Sequence, residues 1–201
     1  MKVRRVGATA LLIECSDSDH VEDWRAELWR RRQRGELRVT EIVPGARTVL
    51  LDGVEPGTET LLAAWGPTPG EARAAGDLVR IPTIFDGQDL DSVADLWRVT
   101  TDETVRRLVD TPLIVAFCGF APGFAYLRGF PEAWAVPRLA APRPRVPAGA
   151  VALAGGYAGI YPTASPGGWQ LVGQTDIDLF DVRRKQPALL SPGTRVRLVA
   201  A

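Results

Sequence analysis

Sulfur, imidazole and ammonium groups are all scarce in this 201-residue chain, which has two cysteines, one histidine and only Lys2 and Lys185 as lysines. Cys15 and Cys118 fit no metal-binding spacing, and both sit in apolar segments that read as strands, so they are expected to be buried free thiols. His20 stands at a predicted helix start, far in sequence from Cys118 and Ser165, so a Ser-His or Cys-His nucleophile pair would need two domains to meet. Long apolar runs are also missing. No 18-residue stretch is apolar throughout, and the N-terminus has no apolar core followed by a cleavage site, which predicts a cytoplasmic chain that is neither secreted nor membrane-spanning. The Gly-x-x-x-x-Gly-Lys-Ser/Thr loop, the Gly-x-Gly-x-x-Gly turn and the Gly-x-Ser-x-Gly elbow are all absent, so nucleotide binding of a common kind has no support. Nor is there a net charge: 24 basic residues balance 24 acidic ones, giving no global pull towards nucleic acid or an anionic membrane.

The charge is nevertheless unevenly placed. Residues 1–100 carry 13 basic and 17 acidic side chains, and residues 101–201 carry 11 and 7. From Phe120 to Thr175 there are four arginines (Arg128, Arg138, Arg143 and Arg145) against one acid, Glu132, a local positive field suited to a small anion. The same run is dense in glycine, proline and aromatic residues. Proline lacks a backbone donor and glycine costs a helix about 1 kcal/mol relative to alanine, so this run must consist of tight turns joining short strands.

Hydrophobic periodicity places the elements. A strand is predicted over Val6 to Cys15, a helix from Asp17 or Asp19 to about Arg34, strands over Leu37 to Val43 and Thr48 to Leu51, and a helix from Pro56 to Trp65. A strand over Leu78 to Phe85 would complete a ferredoxin-like βαββαβ order. The Gly66 to Gly76 segment reads as a linker. The expected division is therefore an α+β N-terminal domain over 1–76, with its last strand possibly at 78–85, and a mainly-β domain over 77–201. In the second domain, helices are predicted over Leu90 to Trp97 and from the Thr100 capping signal to Val109. Strands over Leu113 to Phe117, Ala150 to Ala154, Trp169 to Gln174 and Thr194 to Val199 suggest a closed barrel.

Arg143 and Arg145 alternate with Pro142, Pro144 and Pro147, whose fixed φ makes the segment stiff. Such arginines suit a carboxylate or phosphate; the alternative is a solvated surface or an inter-strand salt bridge. Phe124, Tyr126, Tyr161 and Trp169 either line a pocket or fill the barrel core. Gln170 either reads a ligand amide or satisfies a buried carbonyl. The Arg30-Arg31-Arg32 run reads as a solvated helix face.

Five motifs occur in the order and spacing of one family: Gly119 to Leu127 (GFAPGFAYL), Pro142 to Gly149 (PRPRVPAG), Ala154 to Gly156 with Gly159 to Pro162 (GIYP), Ser165 to Leu171 (SPGGWQL) and Leu179 to Asp181 (LFD). On these residues the chain resembles the B subunit of ATP-dependent 5-oxoprolinase, also called allophanate hydrolase subunit 1 or KipI-like, of the carboxyltransferase subdomain C and D type. The resemblance implies a small α+β domain followed by a cyclophilin-like barrel. It further implies a non-autonomous subunit of a hydrolase that acts with A and C subunits and ATP to convert 5-oxo-L-proline to L-glutamate. Other relatives of this kind inhibit a histidine kinase or belong to allophanate and urea-type amide hydrolases or carboxyltransferases. On the first reading, Arg143 and Arg145 hold the anionic end of a small amide substrate, and Gln170 with the turn amides near Gly155, Gly156, Gly167 and Gly168 contacts its carbonyl. Where relatives commonly carry a histidine before the strand leading to GFAPGF, this chain has Leu108-Val109, with Asp110 the nearest polar group. No catalytic residue is assigned.

Overall fold

The computed structural model describes residues 2–67 and 77–201. The chain divides into two compact units, Met1–Gly76 and Asp77–Ala201.

In the first unit, β1 (Lys2–Val6) and β2 (Ala10–Glu14) form a hairpin where a single strand was expected. Gly7 breaks the run by taking φ 61°, a left-handed value that glycine reaches without a Cβ clash. Helix α1 (Ser18–Gln33) follows, with Asp17 accepting the His20 backbone N–H as its cap. Next come β3 (Glu41–Pro44), β4 (Thr48–Asp52) and α2 (Thr58–Ala64). The sheet order is β1-β2-β4-β3, all antiparallel. The edge position beside β2, which the βαββαβ reading reserved for Leu78 to Phe85, is occupied by β1, so the order is ββαββα. Leu11, Ile13, Trp24, Leu28, Val49, Leu51 and Leu62 form the core of this unit. The arginine run is not solvated as expected. Arg30 and Arg31 both bond Glu27, at 2.8 and 2.6 Å, and the Arg31 guanidinium lies 4.2 Å over the Trp65 ring. Helical i,i+3 and i,i+4 spacing puts Glu27 within reach of both. Of the expected linker, residues 68–76 lie outside the described residues.

The second unit opens with β5 (Leu78–Thr83), which pairs in parallel with the last strand, β13 (Arg195–Ala200). Between them lie α3 (Leu90–Trp97), α4 (Thr101–Asp110), β6 (Leu113–Cys118), β7 (Ala125–Arg128), β8 (Arg143–Val146), β9 (Ala150–Ala154), β10 (Tyr157–Ile160), β11 (Ser165–Gly167) and β12 (Gln170–Gln174). Seven strands form one sheet in the order β12-β9-β10-β7-β6-β13-β5, and β8 pairs with β11 separately. Ile84, just past β5, exchanges two backbone hydrogen bonds with Gln174 of β12, at 2.9 and 2.8 Å. This bridge brings the two edges of the sheet together into a nearly closed barrel and removes most of its unpaired backbone. Ile81, Val93, Leu108, Val115, Leu127, Val151, Val172 and Leu198 pack as its core together with α3 and α4. A separate cluster, Phe124, Val146, Tyr161, Trp169 and Leu171, contains the aromatic residues of the motifs.

Candidate functional site

The motif run folds into an aromatic-walled cavity of about 90 Å³ lined by Phe120, Phe124, Tyr126, Arg138, Tyr161, Pro166, Gly167, Gly168 and Trp169. Five residues expected at a site from sequence meet there: Phe124, Tyr126, Tyr161, Gly167 and Gly168. Phe124 is the hub. Its ring stands edge-on to Phe120, Tyr126, Tyr161 and Trp169 at centroid distances of 5.2, 5.1, 5.4 and 5.5 Å, the T-shaped geometry that aromatic quadrupoles prefer. Glycine makes this packing possible at two places. A Cβ on Gly159 would lie 2.8 Å from Phe124 Cζ, and one on Gly167 would collide with the Tyr161 hydroxyl.

Phe120 forms the rim. Its φ is 70°, and the Ala121 N–H donates to the Gly119 carbonyl at 2.8 Å across it, a three-residue turn that is rare and strained for a residue with a side chain. Phe120 is 62% exposed, whereas Tyr161 at the floor is 2% exposed. Burial pushes the Tyr161 phenol above its ordinary value, with the Arg138 charge and the Trp169 backbone N–H acting in the opposite direction. The phenol is therefore protonated at neutral pH.

The four arginines of the run have different fates. Arg143 donates from Nη2 to both oxygens of Asp89, at 2.6 and 2.9 Å, and from Nη1 to the Trp169 carbonyl at 3.2 Å. With its amide oxygen turned towards the guanidinium, Gln88 also accepts from Arg143 Nε and Nη2. Asp89, buried at the start of α3, accepts the Leu171 N–H as well, at 2.6 Å. Arg143 is thus an internal clamp joining β8, α3 and β12, and its charge is already compensated. Arg145 is exposed on β8 and does not line the cavity. Arg128 lies on β7 away from the lining. Arg138 is the cavity's single cationic group.

The remaining expected residues are also displaced from the cavity. Gln170 is buried, with Nε2 donating to the Pro137 carbonyl at 3.2 Å and Oε1 left without a partner. Gly155 and Gly156 form the turn between β9 and β10, at the opposite end of β10 from Tyr161. The Gly155 N–H is already bonded to the Val136 carbonyl at 2.7 Å. Sequence reasoning counted Arg138 in the positive field but assigned it no role, and it passed over Phe120 inside its own motif. The strained φ that singles out Phe120 is a property of the folded backbone.

Neither thiol nor imidazole joins the site. Burial pushes the Cys118 thiol up to about 11, and Sγ lies 3.5 Å from the Leu190 carbonyl. His20 belongs to the first unit, where Nε2 accepts the Trp24 indole N–H at 2.9 Å and Nδ1 lies 3.1 Å from Ser16 Oγ. Among the described residues, no group of three or more His, Cys, Asp or Glu is placed to hold a metal ion.

Residues 1–190 match the family model described as the carboxyltransferase domain, subdomain C and D. The chain belongs to this family. The 5-oxoprolinase B subunit of Escherichia coli O157:H7 is 34% identical over 96% of this chain and 93% of its own length. The protein of the same name from Haemophilus influenzae is 37% identical over 86% of this chain and 85% of its own. Among solved structures, TTHA0988 superposes with a TM-score of 0.78 at 31% identity, and this chain covers 40% of its length. The Kluyveromyces lactis urea carboxylase, at 18% identity and a TM-score of 0.68, shares the fold over 99% of this chain and 21% of its own. In this carboxyltransferase-family chain, the place where the resemblance leads one to expect a histidine is filled by Leu108 and Val109 on α4, of which Leu108 is fully buried and Val109 half-buried. An imidazole at position 108 would lie in the apolar core shared by the barrel strands, α3 and α4. No helix among the described residues is long and apolar enough to cross a membrane.

Proposed function

We infer that this chain is the B subunit of a 5-oxoprolinase complex, serving with A and C subunits in the ATP-driven opening of 5-oxo-L-proline to L-glutamate in the cytoplasm. The observation that carries this reading is the 34% identity with the E. coli 5-oxoprolinase B subunit, which spans 96% of this chain. The barrel is taken as the cyclophilin-like type, with the aromatic cavity as the surface that meets substrate. Opening the ring requires addition of water to the lactam carbonyl, cleavage of the C–N bond and protonation of the departing nitrogen. The cavity offers aromatic walls, phenol hydroxyls and one guanidinium, which bind and orient. Its lining holds no carboxylate, imidazole or thiol to take a proton at neutral pH. The proton-transfer groups are therefore assigned to a partner subunit, and orientation is this chain's contribution to rate.

The residues present do not fit ATP. A cavity of about 90 Å³ with one guanidinium is too small and too weakly charged for a triphosphate, and the sequence has no phosphate loop. Nucleotide is assigned to another subunit. The test is 5-oxoproline-dependent ATP hydrolysis by co-expressed A, B and C subunits, with each omitted in turn. Activity that requires this chain is the expected result. A well-assembled complex that hydrolyses no ATP with 5-oxoproline would overturn the assignment.

A further inference from the structure

We propose that Arg138 and the Tyr161 hydroxyl form a carboxylate subsite in the aromatic cavity, which takes the acid group of a small cyclic carboxylic acid while its ring rests against Phe120, Phe124 and Tyr126. Taking that acid to be 5-oxoproline rests on the function inferred above; the subsite itself rests on the geometry and charge of the cavity.

The first argument is charge. The cavity lining holds one cation and no acid. Arg143, in the PRPRVPAG motif, is neutralised by Asp89, whereas Arg138 makes no hydrogen bond or ion pair with any described residue. A guanidinium fork beside a small apolar enclosure, with its donors unused, matches the planar geometry of a carboxylate.

The second argument is positioning. The segment carrying Arg138 has no regular structure, yet it is pinned on every side. Val136 exchanges two backbone hydrogen bonds with Gly155, at 3.0 and 2.7 Å, the Pro137 carbonyl takes the Gln170 amide at 3.2 Å, and the Leu139 N–H donates to the Gly168 carbonyl at 2.8 Å. The backbone on both sides of Arg138 is fixed while its side chain is left without a protein partner. This arrangement fits a binding group better than a surface residue, because a fixed backbone lowers the entropy lost when the side chain orders on a ligand.

The third argument is the phenol. Tyr161 is buried at the cavity floor, and burial keeps its phenol protonated at neutral pH. Its single proton is thus left to donate. Arg138 and Tyr161 both line the cavity, so a ligand held there meets both donors. The volume of about 90 Å³ suits one carboxyl group and the edge of a five-membered ring.

The experiment compares wild type with Arg138→Ala and Tyr161→Phe, using folding controls by circular dichroism and the exposed Arg145→Ala as a neutral variant. Calorimetric titration of the full chain uses 5-oxo-L-proline, L-proline and 2-pyrrolidinone, the last being the same lactam without the acid. In parallel, the KM for 5-oxoproline is measured in the assembled complex. Loss of a charge-assisted pair predicts that Arg138→Ala weakens 5-oxoproline about 10- to 100-fold. Binding of 2-pyrrolidinone should be unchanged, and KM should rise with kcat nearly constant. Equal affinity, or equal KM in an active complex, overturns the subsite while leaving the subunit assignment standing. If the complex has no 5-oxoprolinase activity, the titrations alone decide. Arg138-dependent binding of either cyclic acid upholds the subsite without the assignment. No binding of either acid, or binding indifferent to Arg138, overturns the subsite.

Discussion

Replacing Arg143 with alanine should damage stability far more than substrate affinity. In the folded protein Nη2 bridges both Asp89 oxygens at 2.6 and 2.9 Å, and the two side chains are 22% and 11% exposed. Removing the guanidinium strands a mostly buried carboxylate whose one remaining donor is the Leu171 N–H at 2.6 Å. Breaking a buried pair from one side costs about 3–5 kcal/mol, and the residual exposure of Arg143 argues for the lower end, about 3 kcal/mol. The unfolding entropy of a unit of about 125 residues is roughly 0.26 kcal/mol/K, so the midpoint should fall by about 12 °C. Urea denaturation should show the same loss with an unchanged slope. A double-mutant cycle with Asp89→Ala should return a coupling of about 2 kcal/mol or more. Below the lowered midpoint, KM in the assembled complex should stay within about twofold of wild type. A variant that melts within about 2 °C of wild type while its KM rises tenfold would refute the clamp and restore Arg143 to substrate binding.

Gly159→Ala would place its Cβ 2.8 Å from Phe124 Cζ and 3.0 Å from the Trp169 ring. A loss of about 1–3 kcal/mol by thermal melting is expected, and an unperturbed melt would mean that the aromatic cluster repacks freely. Phe120→Gly should leave the midpoint nearly unchanged, because relief of the φ 70° strain offsets the entropy glycine adds to the unfolded chain. KM should still rise as the cavity loses its rim, and an unchanged KM would detach Phe120 from binding. Cys118 is pushed from 9.0 up to about 11, so at pH 8 its thiolate fraction is about 100-fold below that of an unperturbed thiol. Alkylation by iodoacetamide should be slower by about that factor, and fast labelling would refute the burial. The Cys15 thiol is raised likewise, so both folded-state values exceed the unfolded ones. The stability they lend is complete below about pH 9 and is lost as pH rises towards 11, which urea midpoints measured from pH 8 to 11 should record.

The helices of the second unit were legible because local rules govern them. Thr100 caps α4 through the Glu103 N–H at 3.2 Å, and the apolar spacing of Leu90, Val93, Ala94 and Trp97 supplies a buried face for α3. The partner of β5 was not legible. Leu78 to Thr83 reads equally well as a last strand of the first sheet, and only its six-residue parallel register with β13 places it in the barrel. The hairpin at Gly7 was hidden for a related reason, since an apolar run does not reveal where a glycine turns the chain.

The motifs and their order carried the resemblance to a carboxyltransferase-type subunit, and composition pointed its ligand chemistry to the glycine-rich run, because residue types and their spacing are properties of the sequence. Which arginine faces a ligand is of another kind. Arg143 and Arg138 are both arginines beside proline in the same positive stretch. Asp89, far back in the chain at the start of α3, neutralises the first, while hydrogen bonds of the flanking backbone with the Gly155 and Gly168 backbone and the Gln170 side chain hold the second at the cavity with its donors free. Charge compensation depends on distances through space, and those distances exist only once the barrel has closed.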